Sequence, residues 1–172
     1  MNFSDFYFLL IIVALFILAG ISIGLYREIR AFRIWERKRF AQEFLNTFVT
    51  GEFPIIREKL EKVQDCRVWQ PDDSYAQKIK TCSQERVDEI DTQLKKILNI
   101  LEGLCINIHY DILDEDICYN YLGWLVVAYH RWSAAYIQKL RDRADDRRIY
   151  IHFSEYAGKW ADRIEREEVA RK

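Results

Sequence analysis

Hydrophobic and polar positions divide the chain into an unbroken apolar run followed by several segments of helical period. From Phe6 to Tyr26 no residue is charged, and about 20 apolar residues suffice for one helix to cross a bilayer. Beyond it, Phe32, Trp35, Phe40, Phe44 and Phe48 recur near helical spacing among charged residues, so the apolar helix is predicted to continue as an amphipathic stalk that stops at Thr50-Gly51. A short helix is predicted around Pro54 to Val63, with its proline near the first turn, followed by a polar loop from Asp65 to about Thr81. Ile90, Leu94, Ile97, Leu98, Leu101, Leu104 and Cys105 then form one buried stripe of a helix. Asp114, followed by Glu115 and Asp116, opens the next helix, whose apolar line is read as Ile117, Tyr121, Leu125, Tyr129, Trp132, Tyr136 and Leu140. A charged break from Arg141 to Arg148 separates it from a last helix carrying Ile149, Phe153, Tyr156, Trp160 and Ile164. No strand pattern competes, and the expected fold is all-α: residues 1–26 as N-terminal segment and transmembrane helix, 27–50 as juxtamembrane stalk, and 51–172 as one helical domain.

Charge sets the expected orientation. Asp5 alone precedes the apolar run, whereas Arg27, Arg30, Arg33, Arg37, Lys38 and Arg39 follow it closely, and basic flanks stay on the cytoplasmic side. The segment lacks a basic leader and a small-x-small cleavage site, so an uncleaved anchor is expected rather than a signal peptide. The formal net charge is -1 with signs interspersed, which removes any global field favouring nucleic acid and leaves anionic lipid as the natural partner of the basic cluster. Within the span, Gly20 and Gly24 form a GxxxG with Ser22 between them and Ala19 beside them, a small-residue face suited to close helix contact. A single span cannot enclose water, so a channel would need a ring of protomers with a hydrophobic constriction.

Four cysteines, Cys66, Cys82, Cys105 and Cys118, show no metal-ligand spacing, and no metal or cofactor is expected. Cys105 and Cys118 read as core residues; Cys66 and Cys82 would pair only outside a reducing compartment. Of the three histidines, His109 and His130 read as structural. His152 differs, because Arg148 and Arg147 precede it by four and five positions at the start of the last helix, where an arginine can stabilise a phosphate while the imidazole moves a proton. On a continuous helix Arg148 and His152 would share a face, and Arg147 would converge with them from the cap.

The run Arg147-Arg148-Ile149-Tyr150-Ile151-His152, at the start of the last long helix of a small all-α domain, resembles the signature of the HEPN superfamily. The stretches Leu94 to Leu104 and Asp111 to Gly123 are similar to an uncharacterised family of bacterial membrane-anchored helical domains. With one anchor and a late Arg-His motif, the chain resembles the small HEPN-like membrane accessory proteins of type VI-B CRISPR loci. That resemblance implies a bacterial inner-membrane protein with a periplasmic N-terminus and a cytoplasmic HEPN-like bundle. It implies a homo-oligomeric ring in the lipid bilayer that perturbs the membrane when a partner RNA-guided ribonuclease is activated, enhancing antiviral defence. HEPN ribonucleases commonly carry a small polar residue after the arginine, where this chain has Arg148; the departure assigns Arg147 and His152 to an interface or to regulation rather than to turnover of RNA. Two alternatives follow from the same residues: a membrane-tethered, metal-independent ribonuclease acting on RNA through His152 and Arg147, and a non-enzymatic membrane scaffold.

Overall fold

The computed structural model describes residues 3–64 and 84–171. Five helices account for nearly all of them: α1 (Phe3–Thr50), α2 (Glu52–Gln64), α3 (Gln84–His109), α4 (Glu115–Ala144) and α5 (Ile151–Ala170). No strand occurs among the described residues, so the all-helical expectation holds. The polar loop with Cys66 and Cys82 lies outside the described residues.

Helix α1 runs 48 residues without interruption, about 72 Å at 1.5 Å per residue. Its apolar part is the one helix among the described residues long and apolar enough to cross a membrane, and it is unburied. Ser22 shows why a polar side chain is tolerated there: its hydroxyl donates to the Leu18 carbonyl at 2.8 Å, within the helix. Towards its C-terminal end α1 turns from exposed to packed. Phe32 and Trp35 are 57% and 54% exposed, whereas Ala41, Leu45 and Phe48, spaced by four and three, are buried against the bundle. The stalk is therefore two unlike halves rather than one uniform amphipathic face.

The core is organised around α3. Leu94, Ile97, Leu98, Leu101, Leu104 and Cys105 are all fully buried, as their spacing predicts, with α2 and α5 against that helix and α4 closing the other side of α5. Burial pushes the Cys118 thiol up to about 12 and Cys105 further in the same direction, so both are inert core residues. Asp114 caps α4, its carboxylate accepting from the Ile117 N–H at 3.1 Å. In the first half of α4 the expected apolar line is displaced. Cys118, Tyr119, Leu122 and Val126 face inward while Tyr121 is 75% exposed, because aromatic residues occur on both faces here and the one that meets α5 is Tyr119, edge-on to Trp160 at 5.8 Å. From Tyr129 onward the expected residues are the buried ones, with Trp132 and Tyr136 following. The charged break is also shorter than its composition suggests, since α4 continues through Ala144.

Gly51 makes the sharp junction between α1 and α2. Its N–H donates to Thr47 O at 2.8 Å, and a Cβ at this position would stand 2.4 Å from that same carbonyl oxygen. Relief requires backbone movement, which would disturb the stack of Phe48 on Phe53 at 4.1 Å and the edge contact of Phe53 with Tyr129. Gly51→Ala is expected to destabilise the bundle by about 1–3 kcal/mol, read as a lowered denaturation midpoint, whereas Gly103→Ala, which meets nothing within 4 Å, should be neutral or stabilising.

A histidine pair at the start of the last helix

The last helix begins at an end that has no cap from its own chain segment. Tyr150 holds a left-handed conformation (φ 54°) and offers no side-chain cap to α5. The missing acceptor comes from α3: the Glu102 carboxylate accepts from the backbone N–H of His152 at 3.3 Å and of Phe153 at 2.7 Å. A negative charge there also complements the positive end of the helix dipole. Arg141, from the last turn of α4, holds the approach to α5 by donating to Ile149 O at 2.9 Å, Tyr150 O at 3.2 Å and Ser154 Oγ at 3.0 Å. The Tyr150 hydroxyl donates to Asn99 Oδ1 at 3.0 Å, and burial raises its phenol above the ordinary range. Three helices thus fix the turn that carries the Arg-His run.

Within that turn the motif residues are separated. Arg148 is not on the helix of His152; it lies in the preceding turn, where its guanidinium donates to both carboxylate oxygens of Asp146 at 3.0 Å and its own N–H to Asp146 Oδ1 at 2.9 Å. The pairing holds the Asp146 carboxyl below its usual range. The shared face expected for Arg148 and His152 does not form, because the left-handed Tyr150 interrupts the helix between them. Arg147 is exposed in the same turn.

His152 instead meets His109, the last residue of α3. Their rings lie 4.5 Å apart between centroids at 40°, and Glu155, one turn along α5, brings Oε2 to 3.8 Å from His152 Nδ1. His152 is half-buried, and its Nδ1 is enclosed with no hydrogen-bond partner among the described residues. His109 and Glu155 are exposed, so one side of the pair opens to solvent beside the ring of Tyr110. His130 takes a different part: its ring packs edge-on against Phe153 at 5.5 Å, and burial, followed by the charge of Arg141, lowers its pKa. Structural packing describes His130, whereas His109 shares the site with His152.

The basic residues that follow the apolar run form a second feature. Arg30, Arg33 and Arg37 line a groove on α1 with Tyr26, Ile34 and Phe40, closed on its far side by Tyr110 and Ile112 of the α3–α4 loop. Arg37 pairs with Asp111, which ties that loop to the stalk. Arg39 lies over the rings of Trp35 and Phe40 at 5.1 and 5.0 Å, and Arg27 and Lys38 are exposed. Earlier on α1, a Cβ added at Gly20 or Gly24 would meet no other part of the described residues within 4 Å, leaving their face open.

Glu102, Arg141 and His109 lie outside the Arg-His motif. Glu102 is a charged residue between buried Leu101 and Leu104, a position that hints at a specific partner; Arg141 and His109 sit at helix ends and become recognisable only when the helices are packed. Glu102→Ala should leave the two N–H groups without their acceptor and cost about 1–3 kcal/mol. Hydrogen exchange is expected to accelerate selectively at His152 and Phe153, with the middle of α3 unaffected.

No curated protein and no solved structure matches the chain. A family model described as a domain of unknown function, DUF4760, matches residues 9–160, taking in both the apolar half of α1 and the turn with His152. The chain therefore belongs to the DUF4760 family.

Proposed function

We propose that this protein is a single-pass membrane effector that self-associates through α1 and its helical domain and compromises the bilayer, in the manner implied by its resemblance to HEPN-like accessory proteins of RNA-targeting CRISPR loci. The observation that carries this reading is the continuity of α1. One uninterrupted helix joins an unburied apolar segment, with its open Gly20 and Gly24 face, to the buried Ala41, Leu45 and Phe48 of the bundle. A rearrangement among neighbouring domains would be transmitted along a stiff helix directly to the span. Support also comes from exposed aromatic surface on α4, at Tyr121 and Trp124, which suits contacts with further copies. In this reading the basic residues from Arg27 to Arg39 face anionic headgroups on the cytoplasmic side of a bacterial inner membrane, and the groove with Arg30 and Arg33 lies at headgroup level. The RNA-guided ribonuclease is a functional partner, and Arg147 and His152 regulate assembly at a domain contact.

Dye release from anionic liposomes carrying the full chain tests the proposal. Release is expected from the wild type and is expected to fall to background in Gly20→Leu/Gly24→Leu, which keeps the span apolar while filling its small-residue face. Intact vesicles with wild-type protein inserted would remove pore formation. Defence that survives exchange of the span for an unrelated one would point to a scaffold.

The second reading, a metal-independent ribonuclease, is favoured by one observation: the imidazoles of His152 and His109 stand together just after the exposed Arg147. Under that reading the full chain should cut single-stranded RNA in the presence of chelator, and His152→Ala should slow cutting about 100-fold or more. Equal inertness of both proteins would exclude it.

A further inference from the structure

The partnerless nitrogen of His152 and the two donors beside it have a chemistry of their own, separate from membrane action or RNA cleavage. His109, His152 and Glu155 each bring one ligand atom into a group whose members all lie within 4.8 Å of one another. His152 and Glu155 come from the start of α5, three residues apart and so on one face, while His109 comes from the end of α3. Two imidazoles and one carboxylate are the donor set of open zinc centres, in which a water or another ligand fills the fourth position. Bonds of 2.0–2.2 Å at tetrahedral angles place ligand atoms roughly 3.4 Å apart, so the group is loose by about 1.4 Å at most. That contraction falls to the exposed side chains of His109 and Glu155, which are free to change rotamer, while His152 is held by packing and by the capped backbone of α5.

Independent evidence for a ligand comes from His152 Nδ1, an enclosed polar atom with no hydrogen-bond partner among the described residues. Buried imidazole nitrogens are rarely left unsatisfied, and Glu155 Oε2 at 3.8 Å is beyond hydrogen-bond range. A cation between them satisfies both.

We propose that His109, His152 and Glu155 form a binding site for a divalent transition metal of the zinc class, which clips the end of α3 to the start of α5. Imidazole and carboxylate donors select zinc over magnesium or calcium, which prefer all-oxygen shells. Occupancy engages His152, so the metal fixes the turn carrying Arg147 and Arg148 and removes the His152 imidazole from any proton transfer. The metal thus acts as a regulator of that turn, whichever activity the turn serves.

The experiment uses the full chain in mild detergent, stripped of metal and titrated with Zn²⁺ against a chromophoric chelator, with Co²⁺ as a spectroscopic probe. Expected are one Zn²⁺ per chain, a rise in unfolding temperature on binding, and visible cobalt bands without the ultraviolet band of thiolate ligation. His109→Gln and Glu155→Gln should each weaken binding by about tenfold or more while leaving the metal-free unfolding temperature unchanged, since both side chains are exposed. Absence of stoichiometric zinc, equal binding by wild type and both variants, or a thiolate-cobalt band would each overturn the proposal.

Discussion

Everything in this protein hangs from the continuity of one helix. A chain crossing hydrocarbon must satisfy its backbone internally, and a helix does so along its length. Here the same helix leaves the apolar segment and becomes a wall of the folded domain, and no glycine or proline stands between Gly24 and Gly51. Flexible linkers uncouple a domain from its anchor; a helix of 48 residues does not. The bundle and the apolar segment are thus joined by one helix, and the α3–α4 loop is tied to that helix through Arg37 and Asp111.

The second half of the molecule depends on a smaller interaction. Because Tyr150 is left-handed and supplies no cap, α5 starts only where Glu102 of α3 receives its first N–H groups. That arrangement places His152 at the end of α3, beside His109, with its Nδ1 enclosed and unpartnered among the described residues. At the other side, the acidic first turn of α4 receives α5 cations: Glu115 takes Lys159 and the Trp160 indole, and Asp116 takes Arg163, whose guanidinium lies 3.9 Å over Tyr119. Most of these pairs are exposed and add little energy individually, but they fix register between α4 and α5. The Arg-His turn is thereby held between two helices whose register is fixed.

The fold was largely legible because its signals were local. The α3 stripe from Leu94 to Cys105, the Asp114 cap and the stop at Gly51 each depend on residues within a turn of one another. In α4 the expected apolar line includes Tyr121, which is exposed, and omits Leu122, which is buried, since aromatic residues on both faces blur a period of 3.6; the core assignment of Cys118 holds. The site was less legible. Spacing drew Arg148 and His152 onto one helix, but a left-handed Tyr150 and the Asp146 carboxylate decide otherwise, and neither is visible in a spacing rule. His109 is 43 positions from His152 and shares no motif with it; only the packing of α3 against α5 joins them.

Self-association of the full chain is the claim on which the proposed membrane activity rests. Its most direct test is the mass of the intact assembly, measured by native mass spectrometry from mild detergent and from lipid nanodiscs. A discrete closed multimer, unchanged on dilution and broken by filling the Gly20 and Gly24 face, is the expected result. A strictly monomeric chain in both environments, correctly inserted and folded, would contradict it.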